Sequence, residues 1–496
     1  MTSILAFHAY RYFPYEKVLA LREAAQLLGA KVICERQDSV EIHGVAFPEQ
    51  AKRLAYFASA HHGRDALETL QSQLERVAAV GRNRQSTRYS VHGLHEYKGK
   101  FNPQIVKAIL NIFNVNQGDR ILDPFCGSGT TLIECAHIGA QSVGFDLNPF
   151  AVYLANAKLQ ALGVPANKLF PIVSKLKTSL ARTRRAREKA TPSDRGEYLG
   201  GWFTPENLQS IEAVRIRIEE HAGEFAPIFL SVASNLLRDY SLQDPNDLRI
   251  RRRKTPLPTI PFADAFIDAA LNFLIRLQDA QLILGVQAIK GEALLHDTTA
   301  GGQTKKNRNF DAAVTSPPYA MALPYIDTQR LSLVWLNLIP ATEILRLESN
   351  LVGSREVRGT SRRELDEQLA VNYANLPEAE LNFCARLASS LGPSDGFRRQ
   401  AVSGLLYRYF AAMQASFAAV HKQLKRGAPY ALVVGHNHTV LGGKRFDINT
   451  PAHLAALAKQ SGWIVDEMIP LQTYQRYGYH MDNAVAAETL LLLRRP

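Results

Sequence analysis

The segment that decides the fold lies between residues 123 and 131, where a short apolar strand gives way to a helix. It reads Asp123-Pro124-Phe125-Cys126-Gly127-Ser128-Gly129-Thr130-Thr131. We predict the strand at Arg120–Phe125 and the helix at Thr130–Ile138. The two glycines let the backbone turn tightly and approach a ligand without a Cβ in the way, and the helix start presents free N–H groups. The segment therefore predicts a ligand-binding turn in an α/β fold.

Strands and helices alternate outward from this turn. A helix is predicted at Pro103–Phe113 before it, and a strand at Ser142–Asp146 and a helix at Pro149–Leu159 follow it. After a long interval the alternation resumes, with strands expected at Ala293–Asp297, Phe310–Ser316, Pro429–Gly435, Trp463–Ile469 and Glu488–Arg494 and a helix at Tyr407–Leu424. This pattern predicts an α/β fold with a doubly wound, mostly parallel sheet.

The organisation of the chain follows from where the alternation stops. Residues 1–85 are expected to form a small α/β accessory unit of order β-α-β-β-α, whose second helix is predicted at Pro48–Ala60, and residues 61–90 a polar, helical linker. Residues 86–160 and 291–496 are expected to be the two parts of one α/β domain. A basic, helical insert at 161–290 separates them, and a further insert interrupts the second part at about 341–400.

Three acidic residues end predicted strands of this domain. Asp123 closes the first strand and Asp146 the next, 23 residues on, which is the usual distance for an acid that accepts hydrogen bonds from ribose hydroxyls. Asp297 ends a third strand and is suited to an adenine amino group. The turn is not G-x-G-x-x-G and lacks the lysine of a P-loop. An acid there would repel a pyrophosphate but suits the ammonium and sulfonium of S-adenosylmethionine. The weaker alternative is a glycine turn whose aspartates only cap helices.

A second constellation follows a later strand, at Thr315-Ser316-Pro317-Pro318-Tyr319. Two prolines cannot continue a strand ladder, so the chain must leave the sheet there. The Ser316 hydroxyl and the Pro317 carbonyl are suited to hold the two hydrogens of an exocyclic amine and to aim its lone pair at an electrophilic methyl group. Tyr319 is expected to stack on the base. An ordinary Pro-Pro turn is the alternative, and it would be preferred if the turn stood alone.

These residues resemble the amino-methyltransferase family, S-adenosylmethionine-dependent enzymes that methylate cytosine N4 or adenine N6 in DNA. Asp123–Thr131 matches the family's cofactor motif, Thr315–Tyr319 its catalytic D/N/S-P-P-Y/F motif, and His95–Pro103 the element that covers the methionine end of the cofactor. The resemblance implies a class I, Rossmann-like methyltransferase fold. It implies a catalytic role for Ser316, Pro317, Pro318 and Tyr319, and it assigns the cofactor to Phe101, Asp123, Pro124, Phe125, Gly127, Gly129, Thr130, Asp146 and Asp297.

The composition fits a nucleic-acid substrate. The 496-residue chain has a net charge of +12, and residues 161–255 hold 17 Lys and Arg against 11 Asp and Glu, half of that excess. In this family such an insert commonly holds the target-recognition region. The residues assigned to double-stranded DNA are Arg182, Arg184, Arg185, Arg251, Arg252, Arg253 and Lys254. A solvated helix face or a loop is the usual explanation for one basic run.

Other classes of protein are excluded or disfavoured by the sequence. Methylation at cytosine C5 needs a nucleophilic cysteine, normally in a Pro-Cys pair, and none of the four cysteines follows a proline. Cys126 and Cys135 are expected to be packing residues. We expect no carboxylate–histidine metal cluster, no membrane span and no signal peptide, and therefore a cytoplasmic protein.

The resemblance leaves the target base and the substrate open. Serine as the first residue of the catalytic motif is more typical of cytosine-N4 enzymes, while aspartate or asparagine is more typical of adenine-N6 enzymes. The N-terminal unit resembles the accessory domains of tRNA guanine-N2 methyltransferases, which usually carry aspartate before Pro-Pro-Tyr. Cytosine N4 in DNA is therefore the first prediction, with adenine N6 and structured RNA as alternatives. Whether a restriction or defence partner exists stays open.

Overall fold

Two large β-sheets organise the chain, one of five strands near the N-terminus and one of seven strands. The structure is a computed structural model. It describes residues 2–29, 31–43, 49–78, 84–183, 193–286, 288–300, 309–321, 325–357, 360–472 and 487–496. Within these ranges no helix combines the length and the apolar character needed to cross a bilayer.

The five-stranded sheet is antiparallel and has the strand order β2-β3-β1-β4-β5. Its elements are β1 (Thr2–Phe7), α1 (Pro14–Leu28), β2 (Lys31–Glu35), β3 (Ser39–His43), β4 (Phe57–His62), β5 (Asp65–Glu68) and α2 (Leu70–Ala78). Helix α1 ends where the chain turns through Gly29 with φ +58°. That left-handed conformation costs glycine least.

The helix predicted at Pro48–Ala60 is wrong. Glu49–Arg53 makes only a short 3-10 turn, and Phe57–His62 is strand β4, which pairs with β1. The prediction of a helical linker over 61–90 is wrong for its first part, because β4 continues to His62 and β5 follows. The alanines of this stretch favour a helix locally, but pairing with β1 and burial of Phe57 outweigh that preference.

The seven-stranded sheet has the order β13-β14-β10-β9-β6-β7-β8. Only β14 runs antiparallel to its neighbours among the paired strands of this sheet. The strands from β6 onward are β6 (Arg120–Asp123), β7 (Gln141–Asp146), β8 (Gly291–Leu295), β9 (Ala312–Thr315), β10 (Pro429–Gly435), the separate hairpin β11 (Asn437–Leu441) and β12 (Lys444–Ile448), β13 (Ile464–Gln472) and β14 (Ala487–Arg494). This mostly parallel, doubly wound sheet confirms the predicted fold class. The hairpin β11–β12 was not predicted.

Both faces of this sheet are buried, because alternate strand residues pack into different cores. Ala431 and Val433 of β10 face the core that the N-terminal unit shares, while Tyr430, Leu432 and Val434 face the opposite core. The helices that pack on the sheet are α3 (Pro103–Ile112), α4 (Thr130–His137), α5 (Pro149–Gly163), α16 (Val402–Gln423) and α17 (Thr450–Gln460). The N-terminal unit therefore packs on one face of the sheet.

Asparagine and proline set the start of two of these helices. Asn102 caps α3 by accepting from the backbone N–H groups of Gln104 and Ile105, and Asn148 caps α5 by accepting from the backbone N–H of Phe150. Pro103 and Pro149 follow as first helical residues, where a missing N–H costs nothing. Each Asn-Pro pair thus fixes where the chain leaves a loop and enters a helix beside the sheet.

The basic insert is helical, as predicted. Its helices are α6 (Ala166–Thr183), α7 (Asp194–Gly200), α8 (Pro205–Ala222), α9 (Ala226–Tyr240) and α10 (Phe262–Leu284). Side chains hold its two ends together: Gln281 on α10 accepts from the backbone N–H of Ala166 and donates to the carbonyls of Leu162 and Val164. Asn156 on α5 makes two 2.9 Å bonds with the backbone of Ala293 on β8, and so covers the sheet edge where the chain returns.

The second insert is also helical. Helix α11 (Arg330–Trp335) precedes it, and its own helices are α12 (Ile344–Asn350), α13 (Thr360–Ala370), α14 (Glu378–Ser389) and α15 (Phe397–Gln400). Cys384 and Leu387 of α14 pack in the same core as Tyr407 and Phe410 of α16. This insert therefore covers the face of the sheet opposite the N-terminal unit.

Candidate active site

The glycine turn after β6 is shaped by close packing. Gly127 and Gly129 have φ values of +50° and +83°. A Cβ at Gly129 would lie 2.8 Å from the Cβ of Ala155 on α5, so no larger residue fits without displacing a helix. From beneath, the buried Lys158 donates to the carbonyl of Ser128 at 3.0 Å, and burial lowers the pKa of its ammonium to about 7. The turn is therefore held by helix α5.

Replacing Gly129 with alanine is expected to destabilise the fold by about 2–5 kcal/mol, the sum of a positive-φ penalty and overpacking. Gly118 is a matched control, because it has φ +91° but a Cβ there meets nothing within 4 Å. Gly118→Ala should cost only about 1–2 kcal/mol. Urea unfolding at equilibrium measures both variants. Equal losses would show that contact with Ala155 is unimportant.

Two of the predicted acids line this turn. Asp123 is buried, and its Oδ1 accepts from the Phe125 backbone N–H at 3.1 Å and from the Thr315 hydroxyl at 2.6 Å. Asp146 is half-buried and accepts from the backbone N–H groups of Gly127 at 3.0 Å and Asn148 at 2.8 Å. Burial raises the pKa of each carboxyl to about 6. At neutral pH the turn therefore carries two carboxylates that favour a cationic or hydroxyl-rich ligand.

The third acid lies beyond its strand. Strand β8 ends at Leu295, and Asp297 accepts from the backbone N–H and the hydroxyl of Thr299, at 2.8 and 2.7 Å. The intervening residue Thr298 donates its hydroxyl to the Pro124 carbonyl at 2.8 Å. Asp297 therefore caps a short turn that is tied to the glycine turn, and its contact with an adenine ring stays a prediction.

The element at His95–Pro103 approaches the turn through a residue that the sequence analysis missed. A Cβ at Gly127 would lie 3.6 Å from the ring of Tyr97, and burial followed by the charge of Asp146 raises the pKa of that tyrosine. Phe101 is half-buried and packs with the core beneath the N-terminal unit. Tyr97 lies within the matched segment His95–Pro103, but its contact with Gly127 depends on how the chain folds, and spacing along the sequence does not reveal it.

The predicted catalytic turn, Ser316-Pro317-Pro318-Tyr319, leaves the sheet beside β6, where β9 ends; it is called the catalytic turn below. Ser316 is half-buried and donates its hydroxyl to the Val433 carbonyl of β10 at 3.3 Å. Because that bond uses the proton of the hydroxyl, its lone pairs remain as acceptors for an incoming N–H group. Pro317 is buried and Pro318 half-buried. The hydroxyl of Tyr319 donates to Glu488 Oε1 at 2.5 Å.

Neighbouring segments hold the main chain after this turn. The Ala320 carbonyl accepts from the Asn437 side chain at 2.5 Å, and the Met321 carbonyl accepts from Arg355 of the second insert. His436, in the loop that follows β10, lies with its Nε2 atom 3.2 Å from the Thr489 hydroxyl. The second insert thus braces the catalytic turn.

The basic residues of the first insert have mixed surroundings. Arg252 lies with its guanidinium carbon 4.8 Å from the centre of the Trp202 ring, and Arg251 pairs with Asp247 at 2.9 Å. Arg253 donates to two backbone carbonyls at 2.6 and 2.8 Å and so stabilises its own loop. Arg182 and Lys254 are exposed. Arg184 and Arg185 lie outside the described residues.

This basic loop is tied to the segment that follows the Ser-Pro-Pro-Tyr turn in the chain. The Gln243 side chain donates to the Asp327 carbonyl at 3.2 Å, and Asp327 follows the turn by only a few residues. Arg330 in turn pairs with Asp327 at 2.8 Å. The nucleic-acid role of the basic residues stays a prediction.

A carboxylate–histidine cluster that the sequence analysis did not identify forms away from this edge of the sheet. Glu134 on α4 lies 2.7 Å from His92 Nε2 and 3.3 Å from His137 Nδ1, and all three residues are buried. The Lys107 ammonium lies 3.6 Å from the same carboxylate. Because Lys107 already balances the charge of Glu134, a divalent cation would place further positive charge beside it. The cluster therefore fits a buried ion pair better than a metal site.

The two buried cysteines of the turn and of α4 behave as expected. Cys126 and Cys135 are both buried. A Cβ at Gly144 of β7 would come within 2.6 Å of the Cβ of Cys126, so this side chain fills the space over a glycine of the neighbouring strand. Burial raises the pKa of both thiols, which disfavours a thiolate nucleophile.

Comparison with known proteins connects this site to methyltransferases. A family model described as "RMKL-like, methyltransferase domain" matches residues 94–195. The type II methyltransferase M.MjaII of Methanocaldococcus jannaschii is 30% identical over 233 residues, which cover 46% of this chain and 42% of that protein. The type II methyltransferase M.BsoBI of Geobacillus stearothermophilus is 25% identical over 317 residues, 58% of this chain and 60% of that protein.

A shorter match is to an enzyme that methylates tRNA. The tRNA (guanine(10)-N2)-dimethyltransferase of Methanothermobacter thermautotrophicus is 40% identical over 68 residues, 14% of this chain and 20% of that protein. The chain therefore spans about two fifths to three fifths of the two type II relatives and a fifth of this one.

Proposed function

We propose that this chain, which belongs to the S-adenosylmethionine-dependent methyltransferases, transfers a methyl group to an exocyclic amine of a base in double-stranded DNA, with cytosine N4 as the first candidate. The observation that carries the proposal is the 2.6 Å hydrogen bond from Thr315 to Asp123. It joins the residue just before the Ser-Pro-Pro-Tyr turn to the acid of the glycine turn. The two predicted motifs therefore lie side by side at one edge of the sheet, which supports a single site.

The residues of the glycine turn fit the cofactor. The turn from Asp123 to Thr131 carries a carboxylate and no lysine or arginine. Asp146 on the adjacent strand adds a second carboxylate, so a ligand with a sulfonium and ribose hydroxyls suits it better than a pyrophosphate. S-adenosylmethionine, when bound, supplies an electrophilic methyl group. Asp123, Asp146 and Asp297 are the residues proposed to hold it.

The catalytic turn supplies the groups that orient the amine. The Ser316 hydroxyl donates its hydrogen to the Val433 carbonyl, and its lone pairs remain as acceptors. Together with the Pro317 carbonyl it is proposed to accept the two amine hydrogens, so that the nitrogen lone pair turns out of the ring plane toward the methyl group. Tyr319 is proposed to stack on the base, which must leave the duplex to reach this turn.

The exposed basic residues of the loop around Arg249–Lys254 are proposed to contact DNA phosphates. We expect the combined variant Arg249→Ala, Arg251→Ala and Lys254→Ala to weaken DNA binding and to lower the slope of log Kd against log salt by about 2–3, since each lost phosphate contact accounts for about 0.9. The matched control removes three exposed basic residues near the opposite edge, Lys422, Arg426 and Lys459. Fluorescence anisotropy over a salt series measures both. An unchanged slope in the first variant, or an equal loss in the control, would contradict this interface.

The target base decides between the candidates. In the test, DNA is incubated with the protein and isotopically labelled S-adenosylmethionine, digested to nucleosides and analysed by mass spectrometry. We expect N4-methylcytosine. Detection of N6-methyladenine would support the same mechanism with adenine as the target base. The RNA alternative is motivated by the short match to the tRNA enzyme, and a competition between duplex DNA and tRNA for the labelled methyl group tests it. Transfer to tRNA alone would overturn the proposal.

A further inference from the structure

We propose that Glu488 is a positioning residue that fixes the plane of the Tyr319 ring for base stacking. This inference rests on the proposed function, because it assigns a partner to the residue proposed to stack on the target base. Glu488 belongs to no motif found in the sequence. The structure places it beside the catalytic turn because β14 is antiparallel to both of its neighbouring strands.

The position of Glu488 follows from strand direction. Strand β14 is antiparallel to β10, and Glu488 stands directly opposite Gly435 in their register. Gly435 is the last residue of β10, at the carboxyl edge where the parallel strands end. The first residues of β14 therefore reach the edge that carries the catalytic turn, although they begin a strand.

The contact between Glu488 and Tyr319 is short and directed. The tyrosine hydroxyl donates to the carboxylate at 2.5 Å, and both side chains are half-buried. Hydrogen bonds to an ionised acceptor are shorter and about twice as strong as neutral ones. Rotation about the Tyr319 side-chain torsions moves the hydroxyl end of the ring the most. The bond to Glu488 holds that end and therefore restricts the orientation of the ring.

The backbone of Gly435 supports one face of the same ring. A Cβ at Gly435 would lie 2.8, 3.1 and 3.2 Å from three ring atoms of Tyr319. The ring can lie there only because glycine occupies this position. With Gly435 against one face and Glu488 at the hydroxyl, the orientation of the ring is set before any base arrives, which is the arrangement that pre-organised stacking requires.

The main chain of the turn has separate supports. Asn437 and Arg355 bind the carbonyls of Ala320 and Met321. A Cβ at Gly353 would lie 2.4 Å from the Tyr319 carbonyl, so the second insert also presses on the backbone there. Loss of the Glu488 carboxylate should therefore free the ring and leave the turn in place.

The test is a double-mutant cycle between Glu488 and Tyr319, measured on the DNA substrate of the wild-type protein. Glu488→Ala is expected to lower kcat about 10- to 100-fold with the KM for S-adenosylmethionine unchanged. Tyr319→Phe, which keeps the ring and loses the hydroxyl, should behave similarly. The double variant should be no slower than Tyr319→Phe. Additive losses would overturn the proposal, because they would show that the two side chains act separately.

Glu488→Gln separates positioning from proton transfer. The amide keeps an oxygen that accepts from the Tyr319 hydroxyl but cannot take a proton at neutral pH. We expect kcat within about three-fold of the wild-type value. If this variant is as slow as Glu488→Ala, Glu488 acts as a proton acceptor and the positioning role is overturned.

A control and a binding readout complete the design. Asp466→Asn removes a carboxylate that pairs with Arg494 near the other end of β14, and it should leave kcat unchanged. With 2-aminopurine at the target position, the wild-type protein should quench the flipped base by stacking, and Glu488→Ala should restore much of its fluorescence. Unchanged quenching in Glu488→Ala would overturn the proposal. If the wild-type protein methylates RNA instead of DNA, the proposed function fails and the same cycle on RNA still tests Glu488.

Discussion

Replacing Ser316 with alanine will lower turnover at least about 100-fold and leave the dissociation constant for S-adenosylmethionine within about two-fold. The Ser316 hydroxyl faces the proposed amine position and bonds to Val433, not to the glycine turn. Removing one group that stabilises a transition state typically costs about 10²–10³ in rate. Since none of the residues proposed to hold the cofactor contacts this hydroxyl among the bonds described, binding of S-adenosylmethionine should be unchanged.

Single-turnover kinetics with labelled S-adenosylmethionine and isothermal titration calorimetry measure the two quantities. Ser389→Ala, which removes an exposed hydroxyl from α14 in the second insert, is the control and should change neither. Turnover that survives in Ser316→Ala would mean that the Ser-Pro-Pro-Tyr turn does not orient the amine, and the proposed function would lose its catalytic residue.

Asp146→Asn is expected to raise the dissociation constant for S-adenosylmethionine about 100-fold. Asp146 is proposed to accept from ribose hydroxyls, and a hydrogen bond to a charged group contributes about 1.5–3 kcal/mol. In the wild-type protein the affinity should fall as the pH drops through about 6, where burial places the pKa of both Asp123 and Asp146. The variant should show a shallower pH dependence, because one of the two titrating groups is gone.

Stability should change with pH in the opposite sense to binding. The pKa of Asp146 is raised in the folded state, so the stability it contributes is present below the ordinary aspartate value near 3.8 and is lost as the pH rises through about 6. Asparagine carries no such penalty. The difference in unfolding free energy between Asp146→Asn and the wild type should therefore move in favour of the variant from pH 4 to pH 7. Urea unfolding without cofactor measures it, and a difference independent of pH would contradict the raised pKa.

Much of the seven-stranded sheet was predictable, for a physical reason. Its central strands are buried on both faces and read as apolar runs that end at aspartate, glycine or proline, as Pro429–Gly435 does. Strand β4 was missed because the sequence Phe57–His62 has small residues and no clear alternation, so only its pairing with β1 identifies it. Local preference was the wrong guide wherever long-range pairing decided the structure.

The site was predictable where the contacting residues belong to one motif or to neighbouring strands. Asp123 ends β6 and Asp146 ends β7, and these two strands are neighbours in the sheet. Both aspartates therefore border the glycine turn. The Glu134 cluster and Glu488 were not predictable, since His92 and Glu134 are 42 residues apart and Tyr319 and Glu488 are 169 apart. Such pairs depend on strand order and helix packing, which spacing along the chain does not encode.

The closure of the first insert has a consequence for how such a protein can diversify. Gln281 ties the end of the insert to residues 162–166 at its start, and Asn156 fastens the returning strand at Ala293. Because the ends are joined, the interior can lengthen, shorten or be exchanged as a cassette while the sheet keeps its strand register. If the insert reads the DNA, new recognition sequences can arise by recombination within one segment, and the methyl-transfer machinery is inherited unchanged.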